Sequence, residues 1–485
     1  MCAASACRYY NSIVRKPWAA AAAALLGVLL AVNIYRAATQ SITIDEAFTY
    51  NLYLSQPLKD TFTHYDANNH VLYTLLARIS LGIFGHGEFP LRLPSLLGGL
   101  LYFVALFRLS RRWFGHGPLL LLSTAVLSLN PFVLDYLSAA RGYGLALGLY
   151  LYGLDRLIAS WSAGPYARDT HRAGVAFGLA IAANLAFLFP VAAAGMVCLV
   201  FDHRRIWRVV NELALPAIVV AGLILMVPLA NATPQHFYYG AKSLAETSES
   251  VVFYSLIHVG EPGLERFREA VLFLAHRAVP VLIALLALGW GAIALRRRGR
   301  DDADRAAVFL AATLVVTLAV LIAAHGAAGV MYPLGRTGVY FVPLLLLPLV
   351  AAVAKLWPGR WTRPVAVLAA LALFACTAVF LLRWNTRVYG EWTFDAGTRD
   401  IVRRIALGHP KPGTRVGGTW LLEPSVNFYR QTWRLDWMKP VERGAPDGDY
   451  DFYVLGPEDA GVVEKRGLVV IHRDAVSGAT LARRR

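Results

Sequence analysis

Eleven apolar runs divide the chain: from Trp18 to about Tyr35, then near 91–107, 118–137, 142–160, 174–189, 190–202, 213–230, 269–295, 306–326, 338–354 and 364–382. A run of about 18 residues with few charges is long enough to cross a bilayer as a helix. In hydrocarbon the backbone must satisfy its own hydrogen bonds, so runs of this length specify helices. The composition agrees, with 57% apolar or aromatic residues and 16% charged, against roughly 45–50% and about 25% in a soluble domain. A disordered chain, a disulfide scaffold and an ordinary cytosolic enzyme are excluded. The first run is a signal peptide or an anchor, and the many later runs favour an anchor. The two runs flanking Pro190 are short, and read as one kinked helix or as two.

The formal charge of +16 would point to nucleic acid in a soluble protein. Here its distribution matters more. Basic residues crowd six short segments: Arg8 to Lys16, Arg108 to Arg112, Arg156 to Arg172, Arg204 to Arg208, Arg296 to Arg305 and Lys355 to Arg363. The intervening segments hold few. The positive-inside rule assigns the six to the cytoplasm. That alternation requires eleven spans, an N-terminus inside and a C-terminus outside. The basic excess is therefore a topology label, the Arg296–Arg300 run is expected to contact anionic lipid, and no nucleic-acid partner is expected. Of the four cysteines, Cys198 and Cys376 lie in apolar runs, and Cys2 and Cys7 precede them. No metal spacing results.

Three stretches fall outside: a long first loop, about 38–90; a polar and aromatic loop, about 231–268, with His236, Tyr238 and Tyr239; and everything after Leu382. The last carries 16 Lys+Arg and 13 Asp+Glu from Trp384 onward, the balance of a soluble domain. Strands are predicted at Arg415–Leu422, Asp451–Leu455 and Leu468–Ile471, and a helix at Arg399–Leu407. The expected fold is an all-α polytopic membrane domain over 1–382, about 11 transmembrane helices, with a small extracytoplasmic α/β domain over 383–485.

No phosphate-binding loop, nucleophile elbow or paired-Cys zinc pattern occurs. The informative acids are Asp45 and Glu46, side by side just beyond the first span. Neighbours on a helix do not share a face, so one can face a site while the other pairs elsewhere. Further on come Asp66-Ala67-Asn68-Asn69-His70, then Glu88-Phe89-Pro90-Leu91-Arg92-Leu93-Pro94-Ser95, then Arg141-Gly142-Tyr143, and later Gly335-Arg336-Thr337. Glu88 and Arg92 have the spacing of a helix pair.

In their order and topological places these motifs resemble the GT-C glycosyltransferases, in particular the branch of protein O-mannosyltransferases and lipid A aminoarabinose transferases. The resemblance covers roughly residues 15–160 and returns around Tyr332–Tyr340. Val71 departs from it, because the branch usually has Pro after the His. The resemblance implies a GT-C-like fold and a sugar carried on a polyprenyl phosphate, transferred on the outer face with inversion to an acceptor hydroxyl of a lipid, glycan or protein. It matches Asp45 to the catalytic Asp.

Partial desolvation outside the bilayer should raise the Asp45 pKa and improve it as a base. Glu46 would orient it or help hold the acceptor. Arg141 and Arg336, at outer span ends, suit a lipid phosphate, and Tyr143, Asp66, Asn69 and His70 are candidate sugar or phosphate contacts. No cofactor is expected; His70 beside Asp66 is thin ground for a divalent metal. The expected location is a bacterial cytoplasmic (inner) membrane. Two other functions fit the pattern: a transporter or flippase, and a polymerase or ligase, of lipid-linked glycans. The scarcity of acids inside the spans weighs against the transporter.

Overall fold

The computed structural model describes residues 16–63, 65–66, 68–162, 167–237, 239–256, 265–296, 301–383, 385–408 and 410–485. Cys2, Cys7, Arg8, Arg15, Tyr238 and the basic run from Arg297 to Arg300 lie outside them. The elements used below are helices α1 (Lys16–Thr39), α2 (Ile44–Thr49), α3 (Val71–Phe84), α4 (Glu88–Phe114), α5 (Pro118–Ser128), α6 (Pro131–Tyr136), α7 (Tyr143–Ser162), α8 (Ala167–Ala183), α9 (Leu188–Phe201), α10 (Leu215–Ala230), α11 (Leu244–Leu256), α12 (Val279–Leu295), α13 (Asp302–Ala328), α14 (Phe341–Leu356), α15 (Arg363–Arg383), α16 (Thr398–Leu407) and α17 (Glu423–Thr432).

Among the described residues, six helices are long and apolar enough to cross a membrane: Pro17–Thr39, Glu88–Phe114, His203–Ala230, Arg268–Leu295, Asp302–Ala328 and Gly335–Leu356. Each coincides with one of the eleven expected runs. The run expected at 118–137 is broken, because Pro131 cannot donate and Asn130 caps α6 by accepting from the Val133 amide, 3.1 Å. The run near Pro190 also resolves into two helices. The break falls at Asn184, whose side chain accepts from the Ala186 amide, 3.0 Å, while Pro190 rides within the first turn of α9. The two then diverge, α8 packing on α7 and α10 and α9 on α13. Outward residues of the long helices are apolar and widely exposed, as at Leu223 (79%) and Leu288 (72%). Such a belt suits lipid rather than water.

Polar groups collect at the two ends. At one, Arg108 and Arg112 reach Asp155 (2.9 and 3.1 Å), Arg305 reaches Asp202 (3.0 Å) and Lys355 reaches Asp304 (2.6 Å). These join five of the six basic segments. The loop between α1 and α4, the segment after α6 and the chain beyond α15 meet at the other. There α4 and α7 touch backbone to backbone. A Cβ on Gly148 would lie 2.0 Å from the Gly98 carbonyl oxygen, and one on Gly98 would lie 2.4 Å from the Leu145 Cα. Small residues permit this approach, and it fixes the segment that carries Arg141 over α4.

The C-terminal region forms a four-stranded sheet in the order β1-β2-β4-β3, with β1 Val416–Gly418, β2 Phe452–Leu455, β3 Val469–Arg473 and β4 Thr480–Arg483. β1 and β2 are parallel and the other pairings antiparallel. Helix α16 and strands β2 and β3 fall close to expectation; β1 is shorter than expected, and β4 and α17 were not anticipated. This region docks on the first loop. The Tyr429 hydroxyl of α17 accepts from the Ile42 amide, 2.8 Å, and contacts the Ser41 hydroxyl, 3.2 Å. Asn51 donates to the Pro424 carbonyl, 3.0 Å.

Candidate active site

Thr43 and Glu46 form a capping box that starts α2: the Thr43 hydroxyl accepts from the Glu46 amide and a Glu46 carboxylate oxygen accepts from the Thr43 amide, 2.9 Å. Glu46 has no exposed surface. Arg92 donates to both of its oxygens, at 2.8 and 2.6 Å, and the Ala140 amide donates at 2.6 Å. Arg92 also donates to the carbonyls of Ala37, Gln40 and Ser41. One buried pair thereby ties the end of α1, the start of α2, helix α4 and the backbone beside Arg141. Burial pushes the Glu46 carboxyl up, but Arg92 and the two amides outweigh it and hold it below the ordinary value. The helix-spaced pairing expected for Glu88 and Arg92 does not form; Glu88 faces Arg399, 3.5 Å away.

With Glu46 turned inward, Asp45 projects from the next face of α2. Its carboxylate receives the Trp392 indole N–H, 3.1 Å, and lies 3.3 Å from Arg336 and 3.8 Å from Arg141. These partners come from three distant parts of the chain. Burial raises the Asp45 pKa, but the two guanidiniums and the indole N–H outweigh it, and the carboxyl sits below its ordinary value. This reverses the expected direction. Desolvation is present as anticipated, and two cations overrule it.

Arg141 is 1% exposed. It donates to the Asn68 side-chain oxygen, 2.8 Å, and to the Asp45 carbonyl, 3.3 Å. Its Nε finds no hydrogen-bond partner. Arg336 pairs with Glu391 at 2.5 Å and lies over the Tyr239 ring, 4.7 Å from its centre. Glu391 also accepts from the Tyr136 hydroxyl. Tyr143 packs edge-on against Tyr136 and His70, with ring centres 5.1 and 5.2 Å apart. Gly142 between Arg141 and Tyr143 has φ +71°, and a Cβ there would lie 2.5 Å from the Ala183 carbonyl oxygen and 2.9 Å from the His70 Cβ. Only glycine allows the turn that presents both neighbours.

His70 is buried. Its Nδ1 faces the Asn184 amide, 3.4 Å, and its Nε2 has no partner. Burial, with Arg141 and Arg336 near, holds its pKa well below the usual value and keeps the ring neutral. Asn69 is occupied by Thr61 and Thr74, and Asp66 accepts from the Asn68 amide, 2.8 Å. Asn68, not Asn69, is the amide that reaches Arg141. Among the described residues no three His, Cys, Asp or Glu side chains gather to hold a metal ion.

Searches against protein-family models and curated proteins found no match. Among solved structures, the chain is similar to ArnT from Cupriavidus metallidurans bound to undecaprenyl phosphate, at 17% identity over 95% of this chain and 97% of that one, TM-score 0.45. It is similar also to the Archaeoglobus fulgidus oligosaccharyltransferase in complex with zinc and sulfate (14% identity, 95% of this chain and 73% of that one, TM-score 0.47). A third is the arabinofuranosyltransferase AftD from mycobacteria (16%, 96% and 40%, TM-score 0.49).

The sequence placed Asp45, Arg141, Tyr143, Arg336 and His70 in one neighbourhood, and the structure brings them together. It missed Trp392, Glu391 and Tyr136. Trp392 and Glu391 lie in Gly390–Asp395, just beyond the last apolar run, in a stretch read as part of a separate soluble domain. The available signal was an acid and a tryptophan placed directly after a span, as Asp45 and Glu46 are.

Proposed function

We propose that this chain is an integral membrane glycosyltransferase that moves a sugar from a polyprenyl-phosphate donor to an acceptor hydroxyl, with inversion at the anomeric carbon. We place the reaction on the outer face of a bacterial cytoplasmic membrane. One observation carries the reading: a partly buried carboxylate, Asp45, shared by two arginines at one end of a helical bundle, where the ordered motifs of the resemblance converge. An acid that removes a proton and cations that receive a phosphate are the two requirements of this displacement.

In the proposed step the acceptor oxygen attacks the anomeric carbon from the side opposite the phosphate. Its proton passes to Asp45 as the new C–O bond forms. The bond from the anomeric carbon to the phosphate oxygen breaks, and the polyprenyl phosphate leaves with the electron pair. Arg141 and Arg336 take up the growing charge on the phosphate. His70, neutral and with Nε2 unpartnered, offers a hydrogen bond to the donor, and Tyr143 lines the same wall. Glu46 acts as a positioning residue through α2. A donor phosphate that draws Arg141 and Arg336 away from Asp45 leaves burial as the main influence on that carboxyl. Its pKa then rises, so the base strengthens when the donor is in place.

The test is transfer by purified Asp45→Asn with a polyprenyl-phosphate sugar. The variant is expected to be folded and membrane-inserted, with a rate reduced about 10²–10⁴-fold, the range for loss of a general base. Retention of more than a few per cent of activity overturns the assignment. Lipid and glycan mass spectrometry of a deletion strain identifies the acceptor through the missing sugar.

A further inference from the structure

A concavity lies at the other end of the bundle, remote from Asp45. It encloses about 250 Å³. Its buried wall is mixed, with Leu157 and Leu213 almost fully buried beside the hydroxyl residues Ser160 and Thr170. Its outer lining is cationic and consists of Arg205, Arg208 and Arg305 with a single carboxylate, Asp202. Arg305 is fixed by Asp202, 3.0 Å, and by stacking on Trp161, 4.8 Å from the ring centre. Arg208 uses its Nε on Glu212, 2.9 Å. Arg205 forms no ion pair among the described residues. A guanidinium has five N–H donors, so all three arginines keep donors for an incoming anion. Convergent guanidiniums are the usual recognition chemistry of phosphate oxygens.

The flanking residues say where that phosphate comes from. Between Arg205 and Arg208 stand Ile206 and Trp207, 48% and 77% exposed. They open the long apolar helix His203–Ala230. An exposed Trp at the start of such a helix belongs at the membrane–water boundary. Beyond an exposed Asn211, Leu215 and Ile218 are 51% and 68% exposed and offer a track for acyl chains. The volume lies below the roughly 300–1,000 Å³ of a pocket that buries a drug-sized molecule, so it admits a headgroup with its chains left outside.

The geometry points to a binding site for the phosphate headgroup of an anionic membrane lipid, held by Arg205, Arg208 and Arg305 in the leaflet opposite Asp45. The site does not depend on the sugar-transfer reading.

Native mass spectrometry of the full chain, delipidated and supplied with phosphatidylglycerol or phosphatidylcholine, tests it. Phosphatidylglycerol is expected to be retained preferentially, with retention about tenfold lower in R205A/R208A, as for losing hydrogen bonds to a charged group. R360A, a basic change in the loop between α14 and α15, should leave retention unchanged. Equal retention in the parent and R205A/R208A overturns the site. A soluble arm adds glycerol 3-phosphate and follows thermal unfolding. Stabilisation of the parent but not of R205A/R208A, with lipid retention unaltered, overturns the lipid source in favour of a soluble phosphate compound. If R205A/R208A does not fold, R205E gives the same readouts, because Arg205 is exposed and has no ion pair among the described residues to lose.

Discussion

Glu46 and Arg92 meet through two hydrogen bonds of 2.6 and 2.8 Å, with neither side chain exposed. A buried pair of this kind adds little net stability over apolar replacements, but removing one partner strands a buried charge at about 3–5 kcal/mol. Arg92→Met is therefore expected to lower stability by about that amount. Glu46→Gln should cost a comparable amount, since it leaves the Arg92 cation without a counter-charge and turns an amide NH2 toward N–H donors that a carboxylate oxygen accepts from. Thermal unfolding in detergent measures both. A loss for R92M within about 0.5 kcal/mol of zero, as at an ordinary surface position, would contradict the buckle assigned to this pair.

Asp45 carries a depressed pKa because Arg141, Arg336 and the Trp392 N–H outweigh its burial. A depressed acid stays ionised to lower pH, so on the proposed reaction the unliganded protein keeps Asp45 ionised below the usual aspartate range. The acid limb of kcat/KM, which reports the free enzyme, should fall there. The acid limb of kcat, which on that reading reports the complex with the proposed donor, should lie at higher pH, because the arginines would then pair with its phosphate. Trp392→Phe keeps the ring and removes the N–H, so its kcat/KM limb should shift upward. Coincident limbs in wild type and W392F would show that the indole does not tune this carboxyl.

Arg141 is buried, and its Nε is the donor left without a hydrogen bond. Arg141→Ala should raise the KM for the polyprenyl-phosphate sugar by about ten- to a hundredfold, the scale of losing hydrogen bonds to a charged group. The KM for the acceptor should change less than about twofold. Initial-rate kinetics with each substrate varied in turn separates the two, and equal effects would remove Arg141 from the phosphate.

Local rules made much of this legible. Apolar runs marked the helices, and the charge alternation grouped loop ends that the structure brings together at one end. Adjacent acids on a helix had to part, which foretold that Glu46 and Asp45 face different neighbours. Long-range pairing left no such trace. Arg92 chose Glu46 over Glu88, four residues away, because the capping box turns Glu46 toward α4. The tail reads as a soluble domain from its composition, and composition does not show that Trp392, Asp395 and Tyr429 all reach the segment around α2. Composition reports solvation, whereas docking depends on a few side chains whose partners lie about 350 residues earlier.

Asp395 is one of the tail's buried links to that segment. It accepts from the Ile44 amide at 2.6 Å and from the Ser425 hydroxyl at 2.8 Å. Burial, reinforced by the nearby charges of Asp45 and Glu46, pushes its carboxyl well above the usual range, against the pull of those two hydrogen bonds. A folded-state pKa above the unfolded one means that the native state holds the proton more tightly. The stability from that proton is present in full below the unfolded pKa and is lost as pH rises through the folded value. Asp395→Asn keeps a neutral group that accepts from Ile44 and removes the titration. Wild type should therefore lose stability relative to D395N as pH rises from about 4 through neutral. Thermal midpoints of both proteins across that range measure the difference, and parallel curves would mean that Asp395 holds no extra proton in the fold.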